Sequence, residues 1–121
     1  PEPLNILLQV NVSDDTAKVG SSIDQTGELL GHVLEMENLR PRGLMTITEH
    51  IDDPAQQRQY FAMLARLRDD LNTEFSIINF DQLSMGMTHD LHSAIAEGAT
   101  IVRIGTAIFG ERESSKKEQL Q

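Results

Sequence analysis

Four short apolar runs, each followed by a stretch with helical signals, alternate along the chain, and few folds accept that order. The runs are Leu4–Val12, Arg42–Ile47, Gln82–Ser84 and Ile101–Ile104. The first, LNILLQVNV, lies between Pro3 and Ser13-Asp14-Asp15 and is largely apolar. Such a run predicts a strand covered on both faces, as in a parallel sheet flanked by helices. Strands separated by helices run parallel and connect through right-handed crossovers. The predicted order β-α-β-α-β-α-β-α is therefore an α/β fold of four consecutive βα units with parallel strands. Four such units make a small open sheet or half of a (β/α)8 TIM-like barrel.

The connecting segments carry start and stop signals. Ser22 with Gln25 three positions later is a capping-box pattern, and it opens a predicted helix to about Met36. Leu30, Val33 and Leu34 give that helix an inward face. Gly27 and Gly31 inside it each weaken it by about 1 kcal/mol relative to alanine, so packing must compensate. Asp53, Pro54 and Gln56 supply a cap, a first-turn proline and a capping partner for a second helix to about Leu71. Tyr60, Leu64, Leu67 and Leu71 recur in it at helical spacing. Phe75–Asp81 leads into the third strand, and Thr88 is read as the cap of a helix over His89–Glu97 that Gly98 stops. The polar tail after Phe109 predicts a ragged final helix.

At 121 residues the chain is long enough for one domain with a real core, here residues 1–121, and not for two. Ten basic against nineteen acidic residues give a net charge of −9, which argues against a nucleic-acid partner. No run approaches the roughly 20 apolar residues of a membrane span, so no membrane partner is expected. Pro1-Glu2-Pro3 begins no signal peptide. Cysteine is absent, so there is no disulfide framework or thiolate site, in keeping with a cytoplasmic location. The chain opens almost directly on an apolar strand and without methionine, which points to sequence upstream.

The chemistry concentrates in Gln82–Arg112, QLSMGMTHDLHSAIAEGATIVRIGTAIFGER. Gly86 and Gly105 occupy equivalent places in two successive strand-to-helix junctions, each near a hydroxyl residue, Ser84 or Thr106. Helix N-termini gather backbone N–H groups, so such junctions suit a phosphate. Isolated glycines also serve simply as turns. Arg103 stands between Val102 and Ile104 in an otherwise apolar strand, where a charge needs a partner or a polar cavity. A structural ion pair and a ligand contact both satisfy that need. His89 and His92 with Asp90 lack a third clear metal ligand and read as a solvated helix face. Met85 and Met87 are read as fillers of core gaps.

LSMGMTHDLHSAI at Leu83–Ile95 and EGATIVRIGTAIFGER at Glu97–Arg112 resemble the YggS-type pyridoxal-phosphate (PLP) homeostasis family of fold-type III PLP-binding proteins. NILLQVNVSDDTAKVG at Asn5–Gly20 and RGLMTI at Arg42–Ile47 fit the same family in the same order. The resemblance implies a barrel of roughly twice this length, of which the chain is the C-terminal half. It implies PLP as the cofactor, with Ser84, the backbone of Met85 and Gly86, and Gly105 with Thr106 at its phosphate. Arg103 corresponds to the arginine facing the pyridine nitrogen. The family's Schiff-base lysine belongs to the N-terminal half, and none of Lys18, Lys116 or Lys117 lies in its motif. Weak, non-covalent PLP binding is thus expected of this chain alone.

An arginine stays protonated and only donates, which keeps the ring nitrogen unprotonated and weakens PLP as an electron sink. The implied role is a non-catalytic carrier or buffer in intracellular vitamin B6 homeostasis. The rivals are a racemase- or decarboxylase-like fold-type III enzyme and a generic phosphate-ligand module. Four strands cut from a closed barrel leave two unpaired edges, so the expected partners are PLP and either the missing N-terminal half or a second copy of the chain.

Overall fold

Strand β1, Leu4–Asn11, is the member against which the others are laid. The computed structural model describes residues 2–13, 19–48 and 50–105. Within them follow β2 (Ser21–Ser22), α1 (Ile23–Leu34), β3 (Leu39–Met45), α2 (Pro54–Phe75), β4 (Gln82–Ser84), a 3-10 turn (Thr88–Asp90) and α3 (Leu91–Ala96). The sheet order is β2-β1-β3-β4, and every pairing is parallel. The expected α/β architecture with parallel strands is present.

Helices cover one face of this sheet. Leu8, Val10, Leu44 and Leu83 are buried there with Leu30 and Val33 of α1 and Phe61, Leu64 and Leu71 of α2. Each large apolar side chain fully withdrawn from water contributes about 1.5–3 kcal/mol, so this layer holds the unit together. The other face carries Asn5, Leu7, Gln9 and Asn11, none of them buried. Coverage of β1 on both faces, expected from its composition, is thus corrected to one.

Capping follows the sequence signals closely. The Ser22 hydroxyl accepts the Gln25 N–H at 3.2 Å, and the Asp53 carboxylate accepts that of Ala55 at 3.1 Å. Helix α2 runs one turn past Leu71 and ends at Ser76, whose left-handed backbone (φ 53°) donates its N–H to the Asn72 carbonyl. Gly27 and Gly31 of α1 face Leu71 and Phe75 of α2. Leu34, expected inward, is 40% exposed, because α1 ends there.

Three strand assignments change. Strand β3 begins at Leu39 rather than Arg42, and Pro41 lies within it. Ile6 pairs with Pro41 and Leu7 with Gly43, so Arg42 is an extra residue bulged out of the ladder. A bulge is one of the few places where a sheet accepts proline. The freed Arg42 side chain donates from Nε to the Asn79 carbonyl at 2.9 Å and fixes the approach to β4. Strand β2, unexpected within a polar stretch, pairs with Val10 and Asn11.

The expected strand Ile101–Ile104 reduces to one parallel bridge, Ser84 to Ile101. Ile101 N–H donates to Leu83 O at 3.1 Å and Met85 N–H to Ile101 O at 3.0 Å, as a parallel ladder requires. Arg103 N–H then donates to Gly86 O, one residue beyond the regular acceptor, at 3.0 Å. The left-handed backbone of Gly86 (φ 100°) causes that slip and ends the ladder. The final helix after Phe109 lies outside the described residues.

Candidate ligand-binding corner

The C-terminal ends of β1, β3 and β4 and the segment Ile101–Gly105 converge through side chains. Thr46, just past β3, donates its hydroxyl to the Val10 carbonyl at 2.7 Å, and its N–H reaches the Ser84 carbonyl at 3.0 Å. Arg103 lies across this pair. Its Nη1 donates to Ser84 Oγ at 3.2 Å, and its Nη2 donates to the Thr46 carbonyl at 3.3 Å. The guanidinium is partly buried, and no described carboxylate pairs with it. A structural ion pair for Arg103 is therefore not formed among the described residues.

Ser84 is 4% exposed and accepts from Arg103. A hydroxyl that accepts keeps its own hydrogen available to donate. The Met85 side chain is fully buried in the core, and its N–H is committed to Ile101. Met85 anchors the turn from inside. Gly86 is buried, and no intramolecular partner occupies its N–H among the described residues. Buried amides are nearly always paired, with protein or with water.

Thr88 departs from its expected role as a helix cap. It is the first residue of the 3-10 turn, and its hydroxyl accepts the Gly105 N–H at 2.9 Å. That bond ties the two glycine junctions together. The helix expected over His89–Glu97 is instead the 3-10 turn followed by the six residues of α3. Asp90, 4% exposed, holds the turn by accepting the Met87 N–H at 2.6 Å. Thr106 and the three lysines, Lys18, Lys116 and Lys117, lie outside the described residues.

Ser84, Gly86, Arg103 and Gly105 thus meet at one end of the sheet. Thr46 escaped the sequence reading, and Thr88 entered it only as a helix cap. Each acts through a cross-strand or cross-loop bond that local patterns do not announce. Among the described residues no group of three histidines and carboxylates is arranged to hold a metal ion, and no helix is long and apolar enough to cross a membrane.

Known proteins resemble this chain in sequence and in fold. The chain is 49% identical over 111 residues to a pyridoxal phosphate homeostasis protein of Pseudomonas aeruginosa, covering 92% of the chain and 46% of that relative. A protein of the same name from Aquifex aeolicus is 45% identical over 109 residues, which is 90% of the chain and 47% of the relative. The chain therefore spans about half the length of the curated relatives it matches. Among solved structures, PipY of Synechococcus elongatus with PLP bound superposes with a TM-score of 0.79 at 29% identity, over 90% of the chain and 50% of PipY. The fold is that of half a (β/α)8 barrel, as the sequence led us to expect. Residues 1–113 match the model of the alanine racemase N-terminal domain, and the chain belongs to that family.

Proposed function

We propose that this chain is the C-terminal half of a PLP-binding barrel and supplies its phosphate and ring-nitrogen side. The whole protein would act in the cytoplasm as a non-catalytic carrier or buffer in vitamin B6 homeostasis. The observation that carries this reading is the juxtaposition of Arg103, a partly buried cation held among the described residues by neutral acceptors alone, with the Gly86 N–H, which has no partner among them. Both await an electron-rich ligand at the C-terminal end of parallel strands, where barrels of this kind place phosphate sites. The similarity to relatives named for pyridoxal phosphate, and to PipY with PLP bound, supplies the ligand.

PLP itself supplies an electrophilic aldehyde and an electron-withdrawing ring. The Ser84 hydroxyl and the Gly86 N–H would hold the phosphate with Gly105 and Thr106, while Met85 fixes the turn. Arg103 would donate to the ring nitrogen and keep it unprotonated.

Titrating the chain with PLP, with inorganic phosphate as competitor, tests this reading. Weak binding that phosphate displaces only at large excess is expected. Equal competition by phosphate and PLP would make the corner a generic phosphate site. Borohydride reduction with PLP followed by peptide mapping should label no lysine of this chain stoichiometrically. In the intact protein, α-proton exchange of amino acids at enzymatic rates would overturn the carrier role. The two sheet edges should recruit either the N-terminal half or a second copy, which light scattering would show as a species larger than the monomer.

A further inference from the structure

The peptide unit between Met85 and Gly86 is turned out of the sheet, and Arg103 takes both places it vacates. In a parallel ladder a residue facing its neighbour donates its N–H to one residue there. Its C=O accepts from the residue two further on. Thr46 N–H donates to Ser84 O at 3.0 Å, so the regular donor to Thr46 O is Gly86 N–H. Met85 N–H donates to Ile101 O at 3.0 Å, so the regular acceptor for Arg103 N–H is Met85 O. Neither regular bond forms. Arg103 Nη2 donates to Thr46 O at 3.3 Å, and Arg103 N–H donates to Gly86 O at 3.0 Å. Gly86 N–H and Met85 O, the two ends of one peptide group, have no partner among the described residues.

We propose that Arg103 is a positioning residue for this peptide. By occupying the Thr46 carbonyl, its guanidinium stops the Gly86 N–H from closing the ladder and leaves it open at the corner. The peptides on either side are fixed, so the exchange is local. Ser84 O accepts from Thr46, Met85 N–H is held by Ile101, and Met87 N–H is held by Asp90 Oδ1 at 2.6 Å. Only the unit between them is left to turn, and glycine takes left-handed and extended backbone about equally readily.

The guanidinium is well placed to keep the amide out. Its planar fork is braced at the other prong, where Nη1 donates to Ser84 Oγ at 3.2 Å. The carbonyl it occupies is anchored too, since the buried Thr46 donates its hydroxyl to Val10 O at 2.7 Å. With the guanidinium removed, Gly86 N–H regains a backbone acceptor by turning back to Thr46 O, and a buried amide gains from doing so. The use of the open N–H for an anion rests on the function proposed above. The exchange of bonds does not.

NMR of the ligand-free chain tests the exchange. The coupling through a hydrogen bond between Gly86 N and Thr46 C′ should be absent in the parent and appear in Arg103→Met, whose side chain cannot donate. Hydrogen exchange at the Gly86 amide should slow in that variant by roughly fivefold, the net worth of one backbone hydrogen bond. Arg103→Leu carries the same expectation and stands in if the methionine variant does not fold. Arg103→Lys keeps a donor for Thr46 O, so it should return exchange toward the parent rate. A Gly86 amide that exchanges equally in the parent and both apolar variants, or a coupling already present in the parent, would overturn the proposal. A closed amide with unchanged affinity for inorganic phosphate would confirm the exchange and remove Gly86 from the phosphate site.

Discussion

Gly86 faces Ala94 so closely that a β-carbon on the glycine would overlap the alanine methyl. The backbone there is also left-handed, at φ 100°. Gly98 shares that φ, but its nearest neighbour, Leu83 Cδ1, is 4.0 Å from where a β-carbon would sit. The pair separates steric overlap from backbone strain. Gly98→Ala should cost about 1–2 kcal/mol from backbone alone, and Gly86→Ala a further 1–3 kcal/mol or so from overpacking. Urea unfolding midpoints measure both. Equal losses would mean that α3 yields freely and that Ala94 does not define the corner.

Helix α1 offers the opposite case. Gly31 has ordinary helical geometry, and an added methyl would lie 3.8 Å from Phe75 Cε1, a normal contact. Gly31→Ala should therefore stabilise the chain by about 0.5–1 kcal/mol, chiefly by restricting the unfolded state. A rise in the thermal midpoint of a few degrees is the expected readout. A fall would show that α1 and α2 approach more closely than this spacing allows.

The sequence made the alternation of strands and helices readable because caps and apolar spacing are local. Ser22 and Asp53 announced their helices, and both cap as read. Strand β2 was invisible, since two serines carry no apolar pattern; Gly20 (φ 117°) turns the chain back onto β1 just before them. Pro41 hid the start of β3, because a proline inside a strand is tolerable only once a bulge is known. At the candidate corner, Ser84, Gly86 and Arg103 stood out as polar or flexible residues in apolar surroundings. Thr46 and Thr88 did not, since each bonds to a residue brought near only by the fold, Val10 and Gly105 respectively.

A buried polar link joins α2 to α3. The Ser93 hydroxyl donates to Gln57 Oε1 at 2.6 Å, with both residues 7% exposed. Ser93→Ala leaves the amide oxygen without that partner in a nearly dry setting, at a cost of about 1–3 kcal/mol. Adding Gln57→Met removes that stranded acceptor but also the amide that donates to the Ile51 carbonyl, so the double variant should recover little of the loss. A double-mutant cycle on chemical unfolding reads the coupling. Strict additivity would mean that water already serves both groups.

Arg103 is held across two strands by a planar fork, with Nη1 on Ser84 and Nη2 on Thr46. Neither acceptor is charged, so the fold gains little from the cation and gives up part of its hydration. Arg103→Met should leave unfolding stability within about 1 kcal/mol of the parent, or raise it. PLP affinity should fall tenfold or more, the value of a charge-assisted hydrogen bond of about 1.5–3 kcal/mol. Lysine keeps the charge but cannot span both acceptors with a rigid fork, so Arg103→Lys should recover only part of the affinity. Equilibrium titration of the three proteins, together with their unfolding curves, distinguishes the outcomes. Loss of stability with unchanged PLP affinity would make Arg103 a strand tie and remove it from the ligand site.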